Sequence, residues 1–119
     1  MATTRTAEEA LTLARQRVGS TLAQVAREEI FPHAAPSVSG VWEGTRKGVW
    51  TSGFWAGLLW QEAALSGRAE DAATATTWTL RLAPHLERKT HDIGFVFSSS
   101  AVIGQGAAGW VPCFRGTGR

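Results

Sequence analysis

The stretch WTSGFWAGLLW at residues 50–60 holds three of the chain's six tryptophans. Just before its apolar part, Thr51 and Ser52 carry hydroxyls that can accept hydrogen bonds from the free N–H groups of a helix beginning near Gly53. From Phe54 onward the apolar side chains cover a face too wide for a surface helix. The stretch therefore predicts a loop, a cap and a central helix that is buried on most sides.

Two further predicted helices flank the central one. The first covers residues 6–30, where apolar positions recur at steps of three and four after the capping-box pair Thr6 and Glu9. Its opposite face is charged, which predicts an outer, half-exposed helix. The third covers residues 69–86, and Pro84 should kink or shorten its last turn.

The connections between these helices differ in length. The central helix should end near Ser66, because Gly67 suits a left-handed C-terminal cap. Residues 31–47, rich in Gly, Pro and Ser, instead predict a long loop whose only hint of regular structure is Val41–Trp42. Loops of this length are usually functional, although an ordinary surface loop pinned by Trp42 is the alternative. With no alternating strand pattern, the predicted fold class is all-α.

Composition limits the classes of function. A chain of 119 residues, 44% apolar and 18% charged, predicts one globular domain. A net charge of +2, scattered along the chain, argues against a nucleic-acid partner. The sequence also contains no apolar run of about eighteen residues, so we expect no membrane partner. The single cysteine, Cys113, and the lack of a leader predict a cytoplasmic protein. The histidine spacing does not fit a helical metal site, and we expect no metal and no cofactor.

The tryptophans of residues 50–60 allow two interpretations. Aromatic residues at helical spacing are most often core, which is favoured for Trp55 and Trp60. Trp50 precedes the cap, where its ring face can line a cavity, and a flat ring buries the C–H face of a sugar at little entropic cost. The residues alone leave both interpretations open for Trp50.

A second motif, THDIGF, occupies residues 90–95. Taken alone, Asp92 suits the N-cap of a fourth helix beginning at Ile93. Together, however, the two motifs resemble those of the unsaturated glucuronyl hydrolases, glycoside hydrolase family 88. The first is similar to the family signature WTSGFWPGLLW, with Ala56 in place of the proline, and the second resembles the family's THDIGF element.

This resemblance implies a fold that the chain carries only in part. The family fold is an (α/α)6 barrel, and residues 1–104 would supply about the first third of it. Residues 105–119 match nothing in the family and are expected to form a disordered tail. The family's second essential aspartate lies further along than this chain reaches, so the resemblance implies a truncated N-terminal fragment. Whether such a fragment is active alone stays open.

The resemblance also implies a substrate and a reaction. The substrate is an oligosaccharide left by a polysaccharide lyase, with a 4,5-unsaturated uronic acid at its non-reducing end. Protonation of C4 and attack of water at C5 give a hemiketal that opens and releases the sugar. The implied residues are Asp92 as catalytic carboxylate, Trp50, His91 and Phe54 in substrate binding, and, speculatively, Arg46 or Lys47 near the uronate.

An alternative function and a property of the surface are also expected. A non-catalytic helical module, which binds carbohydrate or a protein partner through a tryptophan platform, is the alternative to an enzyme. An incomplete barrel would also leave inner helices uncovered, so we expect exposed apolar surface at Phe54, Leu58 and Trp60 and a tendency to self-associate.

Overall fold

The computed structural model describes residues 4–88 and 91–108, most of which lie in helices. The predicted all-α class is therefore confirmed, with a small two-stranded sheet added. No helix in the described part of the chain is both long and apolar enough to cross a bilayer. The elements are α1 (Ala7–Glu28), β1 (Phe31–Ala34), β2 (Glu43–Thr45), α2 (Ser52–Ser66), α3 (Ala69–Leu80), a 3₁₀ helix (Ala83–Glu87), and a last helical segment made of α4 (Ile93–Phe97), a π-helical turn (Ser98–Val102) and α5 (Ile103–Ala108).

Helix α1 begins and ends through local hydrogen bonds. The predicted capping box is confirmed, because the Thr6 hydroxyl accepts from the Glu9 N–H and the Glu9 carboxylate accepts from the Thr6 N–H, both at 3.1 Å. The helix ends at Glu28, earlier than predicted, since Glu29 is left-handed with φ of 56°. Within α1, which is described throughout, only Val25 is buried, so the outer, half-exposed position is confirmed.

Residues 31–47 are not the structureless loop that their composition predicts. Strands β1 and β2 pair antiparallel, with Phe31 opposite Thr45 and Pro32 opposite Gly44. The sequence pattern hides them because each strand has only three or four residues and one carries a proline and the other a glycine, which strands generally disfavour.

Trp42 pins this hairpin to α1, as the surface-loop alternative expects. Its indole N–H donates to the Thr21 hydroxyl at 3.1 Å. Its backbone carbonyl and N–H pair with the side-chain amide of Gln24.

Helix α2 begins without the hydroxyl caps predicted for Thr51 and Ser52. Ser52 is the first helical residue, and its hydroxyl accepts from the upstream Val49 N–H at 2.8 Å. Thr51 holds the N-cap position, but its hydroxyl bonds to Nδ1 of His33 in β1 at 2.9 Å. Both hydroxyls thus fix the incoming loop and leave the helix N–H groups uncapped by them. At the other end Gly67 is left-handed, with φ of 67°, as predicted.

Two glycines let α2 touch the backbone of the last helical segment. A Cβ built on Gly53 would lie 2.7 Å from the Phe95 carbonyl oxygen, and one built on Gly57 would overlap the Ser99 carbonyl oxygen. Any side chain at either position would therefore push the helices apart. The two glycines are four residues apart and share one face of α2, where they form a strip of exposed backbone.

The predicted exposure is confirmed at Phe54 and Leu58, which are 43% and 44% exposed, and wrong at Trp60, which is 0% exposed. Trp60 lies beneath α5, so close that a Cβ on Gly104 would be 2.5 Å from its ring. Its indole N–H donates to the Thr79 hydroxyl of α3 at 2.8 Å. The last helical segment thus covers one side of α2 that an incomplete barrel was expected to leave open.

The buried core forms where α2 and α3 meet the last helical segment, the end of α1 and β1. Trp55 and Trp60 are both buried in it, as the packing interpretation predicts. Trp78 of α3 packs edge-on against Trp55 and Phe31, with ring centroids 6.0 and 5.0 Å apart. The core residues are Val25, Phe31, Trp55, Ala56, Leu59, Trp60, Ala75, Trp78, Leu82 and Val96.

Pro84 shortens α3, as predicted. The helix ends at Leu80 and not at residue 86, and Pro84 lies in the first turn of the 3₁₀ helix that follows, where a missing N–H costs no hydrogen bond. The fourth helix begins at Ile93, as expected from the N-cap interpretation of Asp92.

Arg81 ties the end of α3 to the rest of the fold. Its guanidinium carbon lies 4.4 Å from the centre of the Trp78 ring and 4.8 Å from that of Phe31. One terminal nitrogen, Nη2, donates to the backbone carbonyls of Glu29 and Arg46. A planar cation between two rings and two carbonyls joins α1, the hairpin and α3.

The last helical segment passes the boundary predicted at residue 104. Helix α5 continues to Ala108, so residues 105–108 are helical where a disordered tail was expected. The remainder of that predicted tail, which includes Trp110 and Cys113, lies outside the described residues.

Replacing glycine by alanine should have opposite effects at two helical positions. Gly57→Ala should lower the free energy of unfolding by about 1–3 kcal/mol, because the new methyl group overlaps a backbone carbonyl. Gly19→Ala in α1, where nothing lies within 4 Å of the new methyl group, should raise it by about 0.5–1 kcal/mol through helix propensity. Urea unfolding followed by circular dichroism gives both values, and equal changes at the two sites would contradict the close helix contact.

Candidate functional site

Three half-exposed aromatic side chains meet on the surface beside the start of α2. We call Trp50, Phe54 and Phe95 the aromatic cluster. The ring centroids of Trp50 lie 6.3 Å from those of both Phe54 and Phe95, and the two phenylalanine rings are 6.5 Å apart. The three residues are 50%, 43% and 51% exposed, in the order Trp50, Phe54, Phe95. Contacting rings that stay half in solvent are a surface on which a flat apolar ligand face can bind.

This cluster joins the two sequence motifs. Trp50 and Phe54 belong to residues 50–60, and Phe95 belongs to residues 90–95. They meet because Gly53, next to Phe54, allows the backbone of α2 to approach the Phe95 carbonyl. The glycine strip that packs the helices therefore also brings the motifs together at the surface.

Asp92 and His91 lie at the start of the segment that carries Phe95. Asp92 holds the N-cap position of α4, but its side chain makes no capping hydrogen bond, so the N-cap interpretation is right for position and wrong for the bond. Its Oδ1 lies 3.3 Å from Nε2 of His91. The side chain of Asp92 is 31% exposed and that of His91 is 93% exposed, so both can reach a ligand on the surface.

A groove between α1 and α2 continues from the aromatic cluster through Phe54. This α1–α2 groove has a volume of about 390 Å³, within the range of small-molecule sites. Its walls are mainly apolar, and the hydrogen-bonded pair of His33 and Thr51 supplies polar atoms. The lining residues are Ala14, Arg17, Val18, Thr21, Pro32, His33, Trp42, Thr51, Phe54, Trp55 and Leu58.

A bidentate ion pair also links α1 to α2. Nε of Arg15 lies 2.8 Å from one Glu62 oxygen, and Nη2 lies 2.9 Å from the other. Hydrogen bonding to Glu62, followed by the attraction of its charge, raises the pKa of Arg15 above its usual value. The positive charge of Arg15 therefore persists across the physiological pH range.

The α1–α2 groove was not predicted from the sequence. Phe54 and Trp50 lie together as expected, with Trp50 packed on neighbouring rings at the surface. His33, Thr51 and Trp42 were not predicted to share a cavity, and the pairing of β1 with β2 that brings two of them there carries no sequence signal. The place of Thr51 in the groove follows only from its hydrogen bond to His33, which is 18 residues away in the sequence.

A second cavity, which we call the basic cavity, is lined by positive side chains. It has a volume of about 390 Å³ and lies beside the end of α3 and the loop after β2. Arg46 and Lys47, expected from the resemblance to lie near a uronate, line this cavity and are not among the residues that line the groove. The lining residues are Arg46, Lys47, Leu80, Arg81, Pro84, His85 and Arg88.

No group of three or more His, Cys, Asp or Glu side chains with the geometry of a metal site occurs within residues 4–88 and 91–108. Comparisons of the chain with protein-family models, with curated proteins and with solved structures find no match. The resemblance to unsaturated glucuronyl hydrolases therefore rests on the two motifs.

Trp55, which lines the groove, and Trp60 differ in one hydrogen bond. The Trp55 indole N–H is buried without a hydrogen-bond partner among the described residues, whereas that of Trp60 donates to Thr79. Trp60→Phe should therefore destabilise the protein by about 1–2 kcal/mol more than Trp55→Phe, although both remove the same atoms. Thermal and urea unfolding of the two variants measure the difference. A larger loss at Trp55 would mean that its N–H has a partner in solution.

Proposed function

We propose that this chain is the N-terminal part of a glycoside hydrolase of the unsaturated glucuronyl hydrolase type. The single observation that carries the proposal is the contact of Phe95 with Trp50 and Phe54, at 6.3 and 6.5 Å between ring centroids. Two motifs that are separate in sequence form one surface, and that surface includes the residues expected to bind sugar.

The proposed fold is the first third of an (α/α)6 barrel. Such barrels repeat a helical hairpin, and α2 with α3 is one, joined at left-handed Gly67. The exposed apolar side chains Phe54, Leu58 and Leu65 on α2 fit an inner helix that further hairpins would cover.

In the proposed reaction Asp92 acts as a general acid or a general base. A carboxyl group at this position delivers a proton to C4 of the unsaturated uronate, or takes one from the water that attacks C5, and the hemiketal that results opens to release the sugar. The aromatic cluster holds the sugar ring by its C–H face, and His91, 3.3 Å from Asp92, can hydrogen-bond to a ring hydroxyl or to the carboxylate. The chain has no acidic residue after Asp92, which is where the resemblance places the second carboxylate of the reaction.

The second candidate is a non-catalytic module that binds carbohydrate or a protein partner through the aromatic cluster. One observation favours it: His91 and Asp92 are not among the residues that line the α1–α2 groove, so the described cavity next to the cluster offers binding without an acid. Self-association through exposed Phe54 and Leu58 belongs to either candidate.

Asp92→Asn separates these candidates. Under the glycosidase proposal, the variant should lose turnover of a 4,5-unsaturated uronyl disaccharide by about 10²–10⁴-fold, the usual contribution of a positioned acid or base. Its affinity for the disaccharide, measured by calorimetry, should stay within about threefold, since the amide keeps the shape and most hydrogen bonds. Turnover is followed by the loss of the ultraviolet absorbance of the conjugated double bond.

Two controls make the result specific. Glu8→Gln removes one negative charge from the exposed first turn of α1 and should change neither turnover nor affinity. Trp50→Ala should weaken binding by about tenfold or more, since stacking on the ring is lost. Binding by the unmodified chain without turnover would select the module as the function of this chain by itself, and absence of both would overturn the glycosidase and the carbohydrate-binding proposals together.

A further inference from the structure

The basic cavity gathers four permanent cations around one opening. Arg46 and Lys47 come from the loop after β2, Arg81 from the end of α3, and Arg88 from the end of the 3₁₀ helix. His85 lines the same cavity. Three separate elements thus converge on one positive site, in a chain whose net charge is only +2.

The charge of Glu29 acts on Arg81, but the other three cations have no carboxylate partner among the described residues. Within the described residues, the ion pairs of arginine and lysine join Arg15 to Glu62 and Arg68 to Glu70 and Asp71, and none involves Arg46, Lys47 or Arg88. A cavity with several unpaired cations has a strong positive potential, which an anion would relieve.

Arg81 is fixed in place within this cavity. Its Nη2 bonds to the Glu29 and Arg46 carbonyls, and its guanidinium carbon lies over the rings of both Phe31 and Trp78, so its position is set before any ligand arrives. Burial lowers the pKa of Arg81, the charge of Glu29 opposes this effect, and the charge of Arg46 lowers the pKa by a smaller amount. Two guanidinium groups are therefore held close enough to repel, which an anion between them would offset.

His85 fixes the cavity from the other side. Its ring is buried, and its Nε2 lies 2.7 Å from the Lys47 carbonyl oxygen, with which it forms a hydrogen bond. Because this bond holds the backbone that carries Lys47, the loop after β2 stays against the 3₁₀ helix. The cavity is thus braced on two sides, by the half-buried Arg81 and the buried His85.

We propose that the basic cavity binds a phosphate monoester group. Guanidinium groups present planar sets of N–H donors that suit phosphate oxygens, and a lysine adds a mobile point charge. A phosphate monoester carries close to two negative charges at neutral pH, whereas a sulfate monoester or a carboxylate carries one. Four cations with no carboxylate paired to three of them favour the ligand with the larger charge.

The basic cavity shares no lining residue with the aromatic cluster or the α1–α2 groove. Binding there is therefore separate from the proposed glycosidase activity, and either can fail without the other.

Calorimetric titration of the full chain with phenyl phosphate tests the proposal. Saturable binding with one site is expected, and Arg46→Gln and Arg88→Gln should each weaken it about tenfold, because each removes a charge-assisted contact. Arg5→Gln, which makes the same change before α1 and outside the basic cavity, should leave the affinity within about twofold. Circular dichroism and the unfolding midpoint without ligand show that each variant is folded.

Phenyl sulfate and benzoate serve as singly charged probes of matching shape. Both should bind at least about tenfold more weakly than phenyl phosphate. Equal binding of the three probes, equal losses in Arg5→Gln and Arg46→Gln, or the absence of saturable binding to the unmodified chain would each overturn the proposal.

Discussion

The direct contact between the backbone of α2 and that of the last helical segment is the constraint on which this structure depends. Gly53 and Gly57 remove two side chains from one face of α2, and the carbonyls of Phe95, Val96 and Ser99 occupy the space. Further along α2 the glycine lies in the last helical segment and the side chain in α2, since Gly104 makes room for the ring of Trp60. Close approach buries Trp60, joins the two motifs and forms the aromatic cluster, so packing and the candidate site have one origin.

Much of the helical framework could be predicted from the sequence because its signals are local. The Thr6–Glu9 capping box, the left-handed cap at Gly67 and the effect of Pro84 each depend on residues within a few positions. The hairpin of β1 and β2 could not be predicted in this way. Two short strands that contain a proline and a glycine have no local strand signal, and they form only by pairing with each other across the loop between them. The burial of Trp60 is likewise set by α5, which is distant in sequence.

The candidate site shows the same division. The motifs single out Trp50, Phe54, His91 and Asp92, but only the fold places Phe95 on the first motif and brings His33, Thr51 and Trp42 around the groove. Thr51 is instructive, because a hydroxyl at the start of a helix suggests a cap, whereas here it bonds to a histidine of β1. A residue type that suits a local role can be used for a long-range one when a partner lies within reach.

The π-helical turn at Ser98–Val102 sets the rotational phase of the last helical segment. The buried positions Val96, Ser100 and Gly104 are spaced by four residues, and an α-helix advances about 100° per residue, so a row of this spacing would drift by about 40° at each step. The wider turn advances less per residue and rotates the row back toward α2. Were the segment α-helical throughout, the eight steps from Val96 to Gly104 would pass two full turns by about 80°, and Gly104 would no longer lie above Trp60.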